Sequence, residues 1–132
     1  MTLQVELVSP ERILYSGEAD MIIARTVSGG DIAFLTGHTP FVGALDIATL
    51  TIRSDQGDEV VAVHGGFVEV SNDRVTILSD VAELRSQIDV ERARRAKEEA
   101  EAHLHREHDA EVEAAARRAH VRLVAAGGLA GG

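Results

Sequence analysis

The sequence lacks cysteine and tryptophan, and its 132 residues include only four aromatic side chains and a single lysine, Lys97. Without cysteine there are no disulfides and no thiolate metal ligands, which fits a reducing compartment. With so few aromatic residues, the core must consist of Val, Ile, Leu and Ala, which favours a compact interior over a deep ligand pocket. The balance of 13 basic against 22 acidic residues argues against nucleic acid as a partner, because phosphate neutralisation needs clustered basic side chains.

Long hydrophobic runs are also absent. No apolar segment approaches the roughly 20 residues that a membrane-spanning helix requires. The first residues, Met1–Val5, show neither the pattern of a secretory signal nor that of a transit peptide. We therefore expect a soluble protein that reaches a membrane only through a partner.

The first part of the chain has the alternating pattern of half-buried strands. Apolar and polar residues alternate at Leu3–Leu7, and short β-type segments follow, separated by turn residues such as Ser9–Glu11 and Ser28–Asp31. The predicted strands are residues 3–7, 12–15, 21–27, 49–53, 60–63, 67–70 and 75–78. Short strands with frequent turns predict an antiparallel β-sandwich over residues 1–84.

The pattern becomes helical after Leu84. Asp89 suits a helix N-cap, and Ala93, Ala96, Ala100 and Leu104 recur at helical spacing. A second helix is expected after Asp109, with an apolar line of Val112, Ala115, Ala116, Ala119 and Leu123. The two alanine-lined faces predict an antiparallel hairpin over residues 85–126, followed by a flexible tail at 127–132. Because burying alanine contributes only a fraction of the roughly 1.5–3 kcal/mol of a large side chain, we expect the hairpin to be weakly held.

Charge divides the chain at the same boundary. Residues 1–84 carry 13 acidic and 4 basic residues, whereas residues 85–132 carry nine of each. The net charge of −9 therefore lies entirely on the predicted sandwich, and the helical part is neutral.

Five motifs in order along most of the chain resemble the epsilon subunit of F-type ATP synthases. They are Val8–Arg12 with Leu14–Ala19, Phe34–Pro40, Val63–Val70, Val75–Glu83 and Ile88–Ala93. Thr36 and Ala48 depart from the family pattern, which usually has proline and glycine at these positions. These two departures affect the expected geometry of the local loops and not the resemblance itself. The resemblance implies a β-sandwich followed by a two-helix hairpin, in agreement with the pattern above.

The resemblance also implies a non-catalytic subunit of the central stalk of a proton-translocating rotary ATP synthase. In this family the sandwich joins the gamma subunit to the membrane c-ring, and the hairpin either folds down or extends toward the catalytic alpha/beta hexamer, where it blocks ATP hydrolysis. The expected location is the cytoplasmic side of the cell membrane, as a peripheral protein attached through the c-ring. Asp31 and His38 are the expected contacts with the c-ring.

A regulatory ATP site is the sharpest local expectation from the resemblance. Ile88, Asp89, Arg92 and Ala93 match the nucleotide-binding motif of the first helix, Arg118 and Arg122 resemble the paired arginines of the second, and Glu83 lies just before the hinge. No cofactor is required, and regulatory ATP would bind with magnesium. A simpler interpretation remains open, in which Asp89 only caps a helix and both arginines lie on a solvated face.

Other constellations are weaker. His103, His105 and His108 with Glu107 and Asp109 have the composition of a metal site, but their spacing favours a solvated turn, and we expect no metal. Gly65-Gly66 is expected to be a strand bend, and His38 a contact residue, since no catalytic nucleophile accompanies it. Two other function classes stay open: a free-standing β-sandwich interaction module with a helical arm, and a small hydrolase. Neither would explain the five ordered motifs.

Overall fold

Eight strands precede two helices in the computed structural model, which describes residues 2–104 and 110–127. This order confirms the predicted fold class, a β-sandwich followed by two C-terminal helices. The strands are β1 (Leu3–Val8), β2 (Ile13–Ala19), β3 (Met21–Thr26), β4 (Gly30–Phe34), β5 (Phe41–Ser54), β6 (Gly57–Ser71), β7 (Arg74–Leu78) and β8 (Ala82–Leu84). A short 3-10 turn, Arg85–Gln87, leads to α1 (Val90–Leu104) and α2 (Ala110–Ala125).

The strands form one continuous sheet in the order β2-β1-β7-β6-β5-β3-β4. Neighbours are antiparallel, except that β1 and β7 run parallel. β6 is long enough to pair with two strands on one side, with β8 along Val61–Val63 and with β7 along Phe67–Ser71. β5 and β6 therefore join the two halves of the sandwich.

A bend at Gly65-Gly66 lets the sheet fold over itself. Val61 and Val63 point into the core before the bend, and Val68 and Val70 point into it afterwards, so the buried face changes from odd to even positions. Both glycines have positive φ, +85° and +118°, and a Cβ on Gly66 would collide with the Leu78 carbonyl oxygen. The predicted strand bend is thus present, and it lies within one strand.

The core of the sandwich is aliphatic, as the composition predicts. Its buried members come from β1, β3, β5, β6 and β7, with Ala19 from the end of β2 and Phe34 from the end of β4. Leu50 and Ile52 point inward as expected, each 1% exposed. Every member of this core cluster lies before residue 85, so the sandwich is built without the helices.

Several strand boundaries differ from the sequence prediction. β4 was not predicted, because Ser28–Asp31 was interpreted as a turn, whereas the chain has already entered a strand at Gly30. β8 was also missed, since three residues are too few to show an alternating pattern. The segments 60–63 and 67–70 are parts of one strand, because two glycines bend the chain without ending its pairing.

The two helices pack against each other as a hairpin. Asp89 caps α1, its Oδ1 accepting a hydrogen bond from the Arg92 backbone N–H at 3.1 Å. Ala93 and Ala100 are buried as predicted, but Ala96 is exposed. α2 ends at Ala125, and Gly127, two residues further on, has a φ of +82°, which is typical of glycines just after the end of a helix. Residues 105–109 and 128–132, including most of the predicted histidine turn and tail, lie outside the described residues.

The second helix has two buried faces, one of which the sequence pattern did not show. Ala119 and Leu123 are buried on the predicted apolar line. Val121 and Ala125 lie on the opposite side of α2, where they pack with Ala62 of β6. α2 therefore lies between α1 and the sheet and makes the main contact with β5 and β6.

Candidate functional site

The predicted nucleotide-binding residues surround a cavity of about 310 Å³ between the hairpin and the sandwich. Five of the seven predicted side chains line it, together with two that were not predicted. The lining residues are Glu83, Gln87, Asp89, Arg92, Ala93, Ala96 and Arg122. The volume is at the lower end of the range of about 300–1,000 Å³ that is usual for small-molecule sites.

Local structure explains how α1 contributes to this cavity. Asp89 precedes the helix, and Arg92, Ala93 and Ala96 follow at a spacing that places them within one turn of each other. Ala93 is 3% exposed, and its small side chain lines the cavity near the start of the helix. Asp89 both caps α1 and lines the cavity, which means that the two interpretations of this residue are compatible.

Arg122 closes the cavity from α2. Its Nε donates to Oε1 of Glu83 at 2.5 Å, and the two side chains are 28% and 25% exposed. This bond uses only the Nε donor, and the guanidinium carries further N–H groups on its terminal nitrogens. The cavity therefore combines an arginine able to bind an anion with a carboxylate that competes for it.

The remaining two predicted residues lie beside the cavity. Ile88 packs with the small apolar cluster between α2 and the sheet. Arg118 pairs with Glu111 of its own helix, Nη2 to Oε1, at 2.9 Å. Its guanidinium is thus engaged within α2 and does not line the cavity in this arrangement.

His64 is a residue of this region that received no role from the sequence. Like Ala62, two residues earlier on β6, His64 points away from the core of the sandwich. Its side chain is nevertheless only 3% exposed. Its Nε2 lies 3.2 Å from Oε1 of Glu83, the same oxygen that accepts from Arg122. Burial, followed by the nearby positive charge of Arg122, lowers the pKa of His64 below its usual value.

A second cleft, of about 490 Å³, lies between α2 and the strands β3 and β5. Two ion pairs line it: Arg25 with Asp31 at 2.9 Å, and Arg117 with Asp46 at 3.2 Å. Each charge is offset by its partner, so this cleft lacks an unbalanced charge that would select a charged ligand. The Arg117–Asp46 pair instead provides a second polar link between α2 and the sandwich.

The two predicted c-ring contacts lie at opposite ends of β4. Asp31 near its start is held by Arg25, whose hydrogen bond lowers the pKa of the Asp31 carboxyl. His38 follows the end of β4, edge-on to the ring of Phe34 at 4.9 Å between centroids. Its Nδ1 lies 2.7 Å from the Thr39 carbonyl oxygen. The two residues are therefore separated by the length of a strand.

The sandwich carries an exposed apolar surface that the sequence analysis missed. Its members are cross-strand neighbours in the register of the sheet, Ile13 opposite Val8, Val8 opposite Leu78, Leu78 opposite Phe67 and Phe67 opposite Ala44. We call these five residues the apolar stripe. Phe67 is 57% exposed, Ile13 58% and Leu78 47%. Contiguous apolar residues of this kind, most of them exposed, are typical of interaction surfaces.

Acidic residues lie along one side of the apolar stripe. Glu6 and Glu69 are two positions from Val8 and Phe67 on the same strands, and therefore on the same face of the sheet. A partner that covers the stripe would bring apolar side chains with basic residues beside them.

Metal-binding clusters are absent from the described part of the chain. Of the five residues considered for a metal site, only His103 belongs to that part, and it is exposed. Within the same described residues, neither helix has the length and apolar character needed to cross a bilayer.

The sandwich matches a known family. Residues 2–85 match the family described as "ATP synthase, Delta/Epsilon chain, beta-sandwich domain". The ATP synthase epsilon chain of Streptomyces griseus is 48% identical over 122 residues, which are 92% of this chain and 92% of that protein. The ATP synthase epsilon chain of Streptomyces coelicolor is 47% identical over 127 residues, 96% of each chain.

Solved structures show the same fold. A chain in the cryo-EM structure of the Euglena gracilis mitochondrial ATP synthase, described as OSCP/F1/c-ring in rotational state 1, superposes with a TM-score of 0.71. It is 23% identical, and the match covers 96% of this chain and 78% of that chain. At this identity the likeness concerns the fold alone.

Proposed function

Because this chain belongs to the ATP synthase epsilon chain family, we propose that it is a non-catalytic central-stalk subunit that restrains ATP hydrolysis through a mobile hairpin. The sandwich joins the gamma subunit to the c-ring. The hairpin alternates between the docked position described above and an extended one that reaches the catalytic alpha/beta hexamer. This arrangement attaches the protein to the cytoplasmic side of the cell membrane through the c-ring.

The way in which α2 is docked carries this proposal. The apolar contact consists of small and β-branched side chains, with Val121 and Ala125 on α2 facing Ala62, Ile47 and Val60 on the sheet. Two ion pairs, Arg122–Glu83 and Arg117–Asp46, complete the contact, and all four side chains are partly exposed. Partly exposed ion pairs contribute little, typically about 0–1 kcal/mol each. We infer that undocking the hairpin costs little free energy, and it leaves the core of the sandwich intact because no member of that core lies on the helices.

Removing residues 85–132 should raise ATP hydrolysis by the reconstituted complex. The reason is that the deletion removes the segment that would extend toward the catalytic subunits, while every member of the sandwich core is retained. The measurement is the rate of ATP hydrolysis with the full chain and with the truncated chain. Equal rates would restrict this protein to a mechanical connection.

A full-length control separates the position of the hairpin from its presence. Cysteines placed at Asp46 and Arg117, whose side chains meet at 3.2 Å, can be joined by a short bis-maleimide, since the chain has no cysteine of its own. The crosslinked complex should hydrolyse ATP as fast as the truncated one. The same double-cysteine complex without crosslinker, which lacks the same ion pair, should hydrolyse more slowly than the crosslinked one. Inhibition that persists in the crosslinked complex would contradict a mobile hairpin.

We further propose that the cavity of about 310 Å³ binds a regulatory ATP with magnesium in the docked state. Arg122 and Arg92 would bind the phosphates, Asp89 would accept a hydrogen bond from the base or ribose, and Ala93 leaves room for the base. Bound ATP would contact both helices and the sandwich, and it would thereby favour the docked hairpin. Arg118 could bind the phosphates only if its ion pair with Glu111 were broken.

Replacing Arg122 by Ala should weaken ATP binding about tenfold to a hundredfold. This is the range expected when one charge-assisted hydrogen bond of about 1.5–3 kcal/mol is lost. Isothermal calorimetry of the isolated protein with ATP and magnesium measures it. Arg117→Ala is the matched control, because it removes the other ion pair between α2 and the sandwich without touching the cavity.

The same titration with Asp89→Ser separates the two roles of Asp89. Serine caps a helix about as well as aspartate but has no carboxylate. If Asp89 binds ATP, this variant should keep the wild-type helical signal and lose affinity. Wild-type affinity in both Asp89→Ser and Arg122→Ala would leave these residues with structural roles only.

A further inference from the structure

A single carboxylate oxygen joins the sandwich to the hairpin. Oε1 of Glu83 on β8 accepts from Nε of Arg122 on α2 and lies 3.2 Å from Nε2 of His64 on β6. Three elements therefore meet at one atom. Two of them belong to the sandwich, and the third belongs to the hairpin that is docked on it.

The side chain of the histidine at this junction is almost completely buried. Its side chain is 3% exposed, and Nδ1 is buried without a hydrogen-bond partner among the described residues. A neutral ring with its proton on Nε2 donates a hydrogen bond to Glu83 and has no proton on Nδ1. A second proton would place a buried N–H on Nδ1 with no acceptor, which is costly.

Positive charge from α2 adds to this cost. The charged groups that act on the ring are Glu83 from β8, which favours a proton, and Arg122 and Arg118 from α2, which oppose it. Burial has the largest effect, and together with the two arginines it outweighs Glu83, so the pKa of His64 is lowered. Undocking α2 removes both arginines and exposes the ring, while Glu83 on the neighbouring strand remains.

We propose that His64, Glu83 and Arg122 form a proton-controlled latch, which holds the hairpin on the sandwich while His64 is neutral and releases it when His64 takes up a proton. The latch itself depends only on the docked geometry. Its effect on nucleotide affinity rests in addition on the ATP site proposed above, because Glu83 and Arg122 also line that cavity.

The direction of the pH effect follows from proton linkage. The docked state has the lower proton affinity at His64, so the undocked state binds more protons in acid. Docking is strongest above the ordinary histidine pKa of about 6.5 and weakens as the pH falls through that value toward the lowered one. A tenfold difference in proton affinity between the two states would weaken docking by up to about tenfold.

Docking can be followed by energy transfer between dyes on Asp20→Cys in the sandwich and Glu113→Cys in α2, both exposed positions in a chain without cysteine. In the absence of nucleotide, the transfer efficiency of the full chain should fall between pH 7.5 and pH 5.5. His64→Gln should abolish this dependence, since its amide can donate to Glu83 but cannot titrate. His120→Gln, which changes the histidine on α2, should keep the wild-type profile.

Two results would overturn the latch: a wild-type hairpin that stays docked across this range, or a His64→Gln variant that opens like the wild type. An NMR titration of the His64 ring provides an independent check, because its pKa should rise in Arg122→Ala if α2 lowers it, and an unchanged pKa would refute the coupling. These measurements use no ATP, so a protein that binds no ATP would refute only the nucleotide site. Where ATP does bind, its affinity should fall in acid for the wild type and not for His64→Gln.

Discussion

Replacing Phe67 by Glu should strongly weaken assembly with the proposed gamma partner, if the apolar stripe is the surface that binds it, while leaving the sandwich folded. Phe67 is the largest side chain of the apolar stripe, it lies between Leu78 on one side and Ala44 on the other, and 57% of it is exposed. A buried carboxylate at that position would lack a partner, and a lost aromatic anchor commonly costs more than about 2 kcal/mol. We expect binding to gamma to weaken at least about thirtyfold, measured by co-purification and by surface binding kinetics.

Val81→Glu is the matched control for this experiment. Val81 is 45% exposed and lies outside the stripe, in the turn between β7 and β8. The control should bind gamma with the wild-type affinity and show the same unfolding midpoint as Phe67→Glu. If both variants assemble normally, the stripe is not the gamma surface.

Replacing Gly66 by Ala should destabilise the sandwich by about 3 kcal/mol or more. A residue with a side chain is strained at a φ of +118°, at a cost of roughly 1–3 kcal/mol. In addition, the new Cβ would collide with the carbonyl oxygen of Leu78 and approach Cα of Ser79, and these backbone atoms cannot move without disturbing β7. Urea unfolding followed by circular dichroism measures this loss, which is large beside a total of about 5–15 kcal/mol.

Gly57→Ala isolates the strain from the collision. Gly57 has a comparable φ of +109°, but nothing lies within 4 Å of an added Cβ. We expect only the cost of backbone strain there, so the difference between the two variants measures how rigidly β7 is held against the bend. Equal losses would mean that the sheet adjusts to the added methyl group.

The sequence predicts best those features that depend on neighbouring residues. Alternation at Leu3–Leu7 identifies β1 and its inward side chains, and Asp89 marks the start of α1. Both are local patterns. β4 was not predicted because it begins at Gly30, and a glycine next to another glycine is usually interpreted as part of a turn. Gly30 has a positive φ, as a turn glycine would, and yet it is the first residue of the strand.

The same distinction holds for the candidate site. Asp89, Arg92 and Ala93 could be placed together because they share one helix. The position of Arg122 against Glu83, and of His64 behind both, depends on how α2 docks on β6, which no periodicity reveals. The apolar stripe is similar, since each of its residues stands alone on its own strand and becomes a neighbour of the next only through the sheet register.

The ion pairs also limit how the acidic charge of the sandwich can attract a basic partner. Asp31 is paired with Arg25, and Asp46 with Arg117, so neither carboxylate presents an unbalanced charge. Asp46 is moreover a link to α2, and changing it would disturb the hairpin as well as any outside contact. Glu6 and Glu69 beside the apolar stripe are better placed to attract a basic partner.

The parallel pairing of β1 with β7 determines the order in which this protein can fold as it is synthesised. β1 begins at Leu3, but the strand that covers one of its edges ends only at Leu78. The first hairpin must therefore wait, with one edge open, until most of the sandwich has left the ribosome, and such distant contacts fold slowly. The two helices are made afterwards, so every strand on which α2 docks is synthesised before α2 itself.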